Sequence, residues 1–204
     1  ADLQAQLGIT RQEAEQWGGL AQEIFVNNWG DSIDDVNAAI IDVQQQFETL
    51  GGIGRDETQE LVQGAIALRD GFGGQTTEYI SAARTLMEQF GISGQEALDF
   101  ITSGMQSGMN ASGDFLDTIG EYSTQFAQGG ASAEQFFSTL ETGLGSGALG
   151  TDKAADLFKE FTLRITDGSK STAESLEGIG LSASFVADQI NSGAMTKADV
   201  FQLV

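Results

Sequence analysis

Few residues in this chain could do chemistry. Its 204 residues include no Cys and no His, which excludes disulfides, thiolate nucleophiles, zinc–thiolate sites and imidazole acid–base catalysis. Gly145-Ser146-Gly147-Ala148-Leu149-Gly150 matches the dinucleotide-binding pattern letter for letter. That pattern works only between a strand and a helix, where the pyrophosphate meets a helix N-terminus; here the preceding segment, Gln135 to Leu144, has a helical apolar pattern. Gly168-Ser169-Lys170-Ser171 has its Lys and Ser in the wrong order for a phosphate-binding loop. Asn110-Ala111-Ser112 has the form of a glycosylation sequon, but no secretory signal opens the chain, and Ser112 reads as the N-cap of the next helix. Thirty acids give many accidental carboxylate pairs, so pairing alone identifies no glycosidase. The sequence assigns no catalytic, cofactor-binding or metal-ligating residue, and the chain reads as a non-enzyme.

Charge narrows the partners. Nine Lys and Arg against 30 Asp and Glu leave a net charge of −21, which opposes binding to a nucleic-acid backbone through a basic face. Between Arg84 and Lys153 lie 68 residues without a basic side chain, while Glu88, Glu96, Asp99, Asp114, Asp117, Glu121, Glu134, Glu141 and Asp152 are all acidic. Such a surface repels DNA and anionic lipid and is screened by salt. No apolar run approaches the ~18–20 residues of a membrane span. Without an initiator Met, and ending at Val204 inside an apolar pattern, the chain reads as a piece of something longer.

The elements are helical. Ile33, Val36, Ile40, Val43, Phe47 and Leu50 recur at spacings of three and four, one stripe of a single helix. Its spacing suits either a core-facing helix or a short coiled-coil seam, so self-association through these six residues is an open expectation. Phe115, Ile119, Tyr122 and Phe126 form a second stripe; Leu157, Phe161 and Ile165 a third; Tyr79, Ala83, Met87 and Phe90 a fourth. Sustained alternation of period two is missing, so the fold class is all-α. Trp17 and Trp29 read as core or near-core aromatics.

Glycine followed two residues later by Ser or Thr marks the helix ends: Gly8-Ile9-Thr10, Gly30-Asp31-Ser32, Gly91-Ile92-Ser93, Gly130-Ala131-Ser132 and Gly180-Leu181-Ser182. A left-handed glycine closes one helix and the hydroxyl caps the next; Glu13, Asp35 and Glu96 follow three residues after their hydroxyls, as in a capping box. With 27 Gly and no Pro, the spacing of glycines predicts eight to eleven helices, none much beyond 20 residues. A 39-residue repeat is visible: Gly91-Ile92-Ser93 matches Gly130-Ala131-Ser132, Ser103–Gly108 matches Thr142–Gly147, and Asp117, Ile119, Glu121 and Tyr122 match Asp156, Phe158, Glu160 and Phe161. Residues 78 to 165 thus read as two copies of a helix pair, in a compact array rather than a solenoid. Gly104 with Gly108, and Gly143 with Gly147, serve close packing or C-capping. The expected division is a helical pair over 1–50 and a helical array over 55–204, with Gly51-Gly52-Ile53-Gly54 as the soft boundary; one continuous domain over 1–204 is the other possibility.

Several blocks resemble phage tail tape measure proteins. They are Asn27-Asn28-Trp29-Gly30-Asp31-Ser32 with Val36-Asn37; Phe90-Gly91-Ile92-Ser93 with Glu96-Ala97; Ser112-Gly113-Asp114-Phe115-Leu116-Asp117-Thr118 through Glu121-Tyr122-Ser123-Thr124-Gln125-Phe126; and Thr151-Asp152-Lys153-Ala154-Ala155-Asp156 through Lys159-Glu160-Phe161 to Asp167-Gly168-Ser169. The resemblance implies a structural virion protein of the tail lumen, assembled in the bacterial host cytoplasm. Such a protein sets tail length and leaves ahead of the DNA at infection. Its implied partners are the tail tube protein, tail assembly chaperones and tail-tip proteins, and no catalytic residue is carried over. An acidic, all-helical adaptor without catalysis is the alternative.

The resemblance and the residues pull in different directions. A straight helix of this length would measure about 306 Å at ~1.5 Å per residue, whereas the glycine corners predict a folded body with a radius of gyration near ~17 Å. Either a helical domain interrupts a ruler, or the body unravels to enter the tube.

Overall fold

The computed structural model describes residues 3–204, and among them every regular element is a helix. In chain order they are α1 (Leu3–Leu7), α2 (Arg11–Val26), α3 (Ile33–Glu48), α4 (Arg55–Phe72), α5 (Thr76–Phe90), α6 (Gly94–Gln106), α7 (Phe115–Gln128), α8 (Ala133–Gly145), α9 (Thr151–Arg164), α10 (Lys170–Gly178), α11 (Ala183–Asn191) and α12 (Lys197–Phe201). The all-α expectation holds. The twelve helices exceed the expected eight to eleven because α1 and α12, five residues each, are too short to show a period.

All five corners form as expected. Gly8, Gly30, Gly91, Gly130 and Gly180 have φ between +64° and +84°. Thr10, Ser32, Ser132 and Ser182 accept hydrogen bonds from the backbone N–H three residues on, and Ser93 does the same for Glu96 at 3.2 Å. Thr10 with Glu13 closes a full capping box, and so does Ser132 with Gln135, which the sequence reading passed over.

The 39-residue repeat is structural. Helices α6 and α8 begin and end at equivalent positions, and their buried residues pair off: Ala97 with Phe136, Leu98 with Phe137, Ile101 with Leu140. In the following helix, Ile119 corresponds to Phe158, both buried.

The chain forms two compact units, Ala1–Gln106 and Ser107–Val204; the Gly51–Gly54 segment lies between α3 and α4 inside the first. There α3, α4 and α5 pack on one another, α6 packs on α4 and α5, and α2 lies against α3 and α4. The stripe expected to support self-association is part of this core. Val36, Ile40, Val43 and Phe47 are covered by the chain's own helices, and only the end residues Ile33 and Leu50 are exposed. A coiled-coil seam needs its apolar positions open to a partner, so these six residues do not form one.

The longest helix has 18 residues, within the expected bound, but glycine also sits inside helices and not only at their ends. The longest helix, α4, contains Gly64 and Gly71; a Cβ on Gly64 would stand 2.5 Å from Leu98 Cδ1, so its absence lets α6 seat against α4.

In the second unit, Phe126 of α7 stacks on Phe158 of α9 with ring centroids 3.9 Å apart and meets Phe136 of α8 edge-on at 4.7 Å. The buried face of α9 is Thr151, Ala154, Ala155 and Phe158. Of the expected stripe, Ile165 is buried and Phe161 packs beside it, but Leu157 is exposed, because Ala154, packed against Gly143, sets which side of α9 turns inward. A smaller cluster of Ile165, Leu176, Val186 and Val200 joins α10, α11 and α12. Phe201 meets Phe158 and Phe161 at 5.2 and 5.1 Å, and the Ala198 N–H donates to the Gly129 carbonyl at 3.1 Å.

Candidate functional site

The Asn27–Ser32 block forms the corner between α2 and α3. Asn28 has φ +64°, and among the described residues it is the non-glycine in the left-handed region. The Trp29 N–H returns to the Ile24 carbonyl at 3.3 Å, and Ser32 caps α3. Asp35 accepts from the Asp31 N–H at 3.0 Å and from Arg69 Nη1, which reaches both carboxylate oxygens at 2.8 and 2.9 Å. The corner thus aims Trp29 along α4.

There Trp29 lines a groove of about 240 Å³ together with Glu60, Gln63, Gly64, Ala67, Leu68 and Phe72 of α4 and Gln95, Leu98, Asp99 and Thr102 of α6. The α4 residues recur at helical spacing, as do those of α6, so two stripes face each other across it. Leu68 and Leu98 are buried, Phe72 is exposed, and Gln95 Nε2 donates to Asp99 at 2.8 Å.

In the second unit the most perturbed carboxylate is Asp114, at the N-cap position of α7. It makes no capping bond to its own helix; the Phe115 N–H donates instead to Asn110 Oδ1 at 3.3 Å. Asp114, not Ser112, therefore occupies the N-cap, because Ser112 turns to donate its hydroxyl to Asp114. The carboxylate of Asp114 caps α9 instead, accepting from the Thr151 hydroxyl at 3.0 Å and the Asp152 N–H at 3.2 Å. Gly150 precedes α9 and supplies no cap of its own; a Cβ there would stand 2.5 Å from Asp114 Oδ2. Burial pushes the Asp114 pKa up, but the hydrogen bonds from Ser112, Asp152 and Thr151 prevail and hold it at about 2. The arrangement anchors a helix.

A third surface lies between α9 and α10, where Phe161, Ile165, Leu176, Ile179 and Val204 line an apolar groove of about 410 Å³ edged by Arg164 and Thr172.

The suspect motifs have structural roles. The segment before Gly145–Gly150 is helix α8, where a dinucleotide site needs a strand. Gly143 packs on Ala154, and Gly147 adopts φ +99° past the helix end. Ser169 of the Gly168–Ser171 segment caps α10. Among the described residues no three acids gather in a metal-holding group, and no helix is long and apolar enough to cross a membrane. Sequence reasoning missed the Trp29 groove and the Asp114 cap; both join residues distant in the chain, which periodicity does not register.

No curated protein matches the chain, and no solved structure does. Residues 6–202 match the family model described as phage-related minor tail protein. That match spans both units and all the corners, so the chain belongs to the phage-related minor tail protein family.

Proposed function

We propose that this chain is a segment of a tail tape measure protein, which sets tail length during assembly and leaves the tail ahead of the DNA. The family match over residues 6–202 supports a structural tail role; the resemblance of the corner and helix-start blocks to tape measure proteins carries the narrower reading. The construction suits the task. Opening a glycine corner breaks no hydrogen bond within the longer helices, so the array can string out inside a narrow tube at the expense of its buried core. We assign it no catalytic role; turnover of peptidoglycan, peptide or glycoside substrates by the purified chain would overturn that.

Tail length tests the ruler role. Removing residues 94–132 from the parent protein deletes one repeat and joins Ser93 directly to α8, so one serine cap replaces another. Strung-out helix contributes ~1.5 Å per residue, so tails seen by electron microscopy should shorten by about 58 Å. Tails of unchanged length would refute the role.

A further inference from the structure

We infer that the groove lined by Trp29 and Phe72 docks a basic segment of another protein, one that inserts an apolar side chain between α4 and α6 and sets Lys or Arg against Glu60 and Asp99. The groove's shape gives the first reason. Its floor is apolar, made by Gly64, Ala67, Leu68 and Leu98, and it exists because Gly64 leaves room for Leu98 against α4. At about 240 Å³ it falls below the ~300–1,000 Å³ of pockets that take drug-sized molecules and suits the anchoring side chain of a peptide or helix. The lining stripes, residues 60–72 on α4 and 95–102 on α6, run for at least two helical turns.

Charge identifies the occupant. The groove's ionisable lining residues are Glu60 and Asp99, both acids. The unit that carries it holds seventeen acids and four arginines, and every one of those arginines is already engaged within it: Arg11 with Glu15, Arg55 with Glu23, Arg69 with Asp35 and Arg84 with Glu88. An acidic or neutral apolar segment would meet uncompensated repulsion or none of this field; a basic one gains it on approach and at the rim. The aromatic walls add cation–π stabilisation for Lys or Arg. Docking there does not require the length-setting role.

The test uses the full chain with Trp17→Phe, so that Trp29 emission reports alone, and two helical probe peptides, one of Leu and Lys and its analogue of Leu and Glu. The Leu–Lys peptide should shift Trp29 emission and the amide resonances of Gly64, Gln95 and Thr102, while the Leu–Glu peptide should not bind. Glu60→Lys with Asp99→Lys should weaken binding by about tenfold or more, and Ala67→Lys, which fills the groove from an exposed position, should do the same. Glu48→Lys with Glu121→Lys makes the same charge change outside the groove and should leave affinity within about twofold. Equal loss from that control pair, resonance shifts spread over the acidic surface, or equal binding of the Leu–Glu peptide would overturn the inference.

Discussion

Ala154 of α9 sits so close to Gly143 of α8 that a Cβ on the glycine would lie 2.5 Å from the Ala154 Cβ and 3.2 Å from its Cα. The helices meet backbone to backbone, and that contact brings Phe158 over Phe126. Gly143→Ala should therefore push them apart and destabilise the chain by about 1–3 kcal/mol. Gly120 is the control: it lies mid-helix in α7 with open space where a Cβ would stand, so Gly120→Ala should stabilise by about 0.5–1 kcal/mol. Urea midpoints of the two variants should move in opposite directions; movement in the same direction would show that helix propensity, not the crossing, governs both sites.

Arg69 ties the end of α4 to the start of α3. Its side chain is 18% exposed and pairs with Asp35 and Asp70 at 2.8 Å each. Removing it leaves Asp35, itself only 27% exposed, without its cation, so Arg69→Ala should cost about 2 kcal/mol in denaturant unfolding. Arg69→Lys should recover less than half of that, because an ammonium cannot span two carboxylates with a planar fork. Full recovery by Lys would mean that charge alone, without the guanidinium geometry, holds the corner.

The trans cap from Asp114 gives the second unit a pH signature. Its pKa of about 2 lies below the ordinary 3.8, so the folded state favours the ionised form. That stabilisation is complete above about pH 4 and is lost as the pH falls through about 2. Asp114→Asn should cost about 1–2 kcal/mol at pH 7, and its deficit should shrink to a small fraction of that as the pH falls to about 2. The thermal melting curves of the two proteins should therefore converge on acidification. A gap that stays undiminished from pH 7 to pH 2 would assign the loss to packing.

Local features were readable from the sequence, and long-range ones were not. The five glycine–hydroxyl corners and the 39-residue offset are contained in short windows, where backbone sterics and capping chemistry act on neighbours alone. The stripe of Val36, Ile40, Val43 and Phe47 showed which face of α3 is apolar, but periodicity does not say whether a face meets its own chain or another. On α9, volume overrode period: Ala154 had to face Gly143, and Leu157 was turned outward. The reason for Gly64 inside α4 lies in Leu98, 34 residues away. The Trp29 groove was hidden for the same reason, being assembled from a corner and two helices.

Under the proposed tape measure role, the acidic surface has a testable consequence for ejection. If the chain shares a channel with DNA, a surface without cations between Arg84 and Lys153 keeps phosphates from trapping it. Asp117, Glu121 and Glu141 are exposed, so replacing all three by Lys leaves the core intact while moving the net charge from −21 to −15. Phage carrying the triple variant should assemble tails of normal length, since no residue is removed. Their DNA ejection, followed by dye fluorescence after receptor triggering, should slow by roughly threefold or more at low salt, because each new cation can pair with a phosphate. Raising the salt should restore the rate, as screening and counterion competition weaken those pairs. Ejection at the wild-type rate in low salt would sink the idea that acidity serves passage. A slowdown indifferent to salt would place the defect in folding or assembly rather than in contact with DNA.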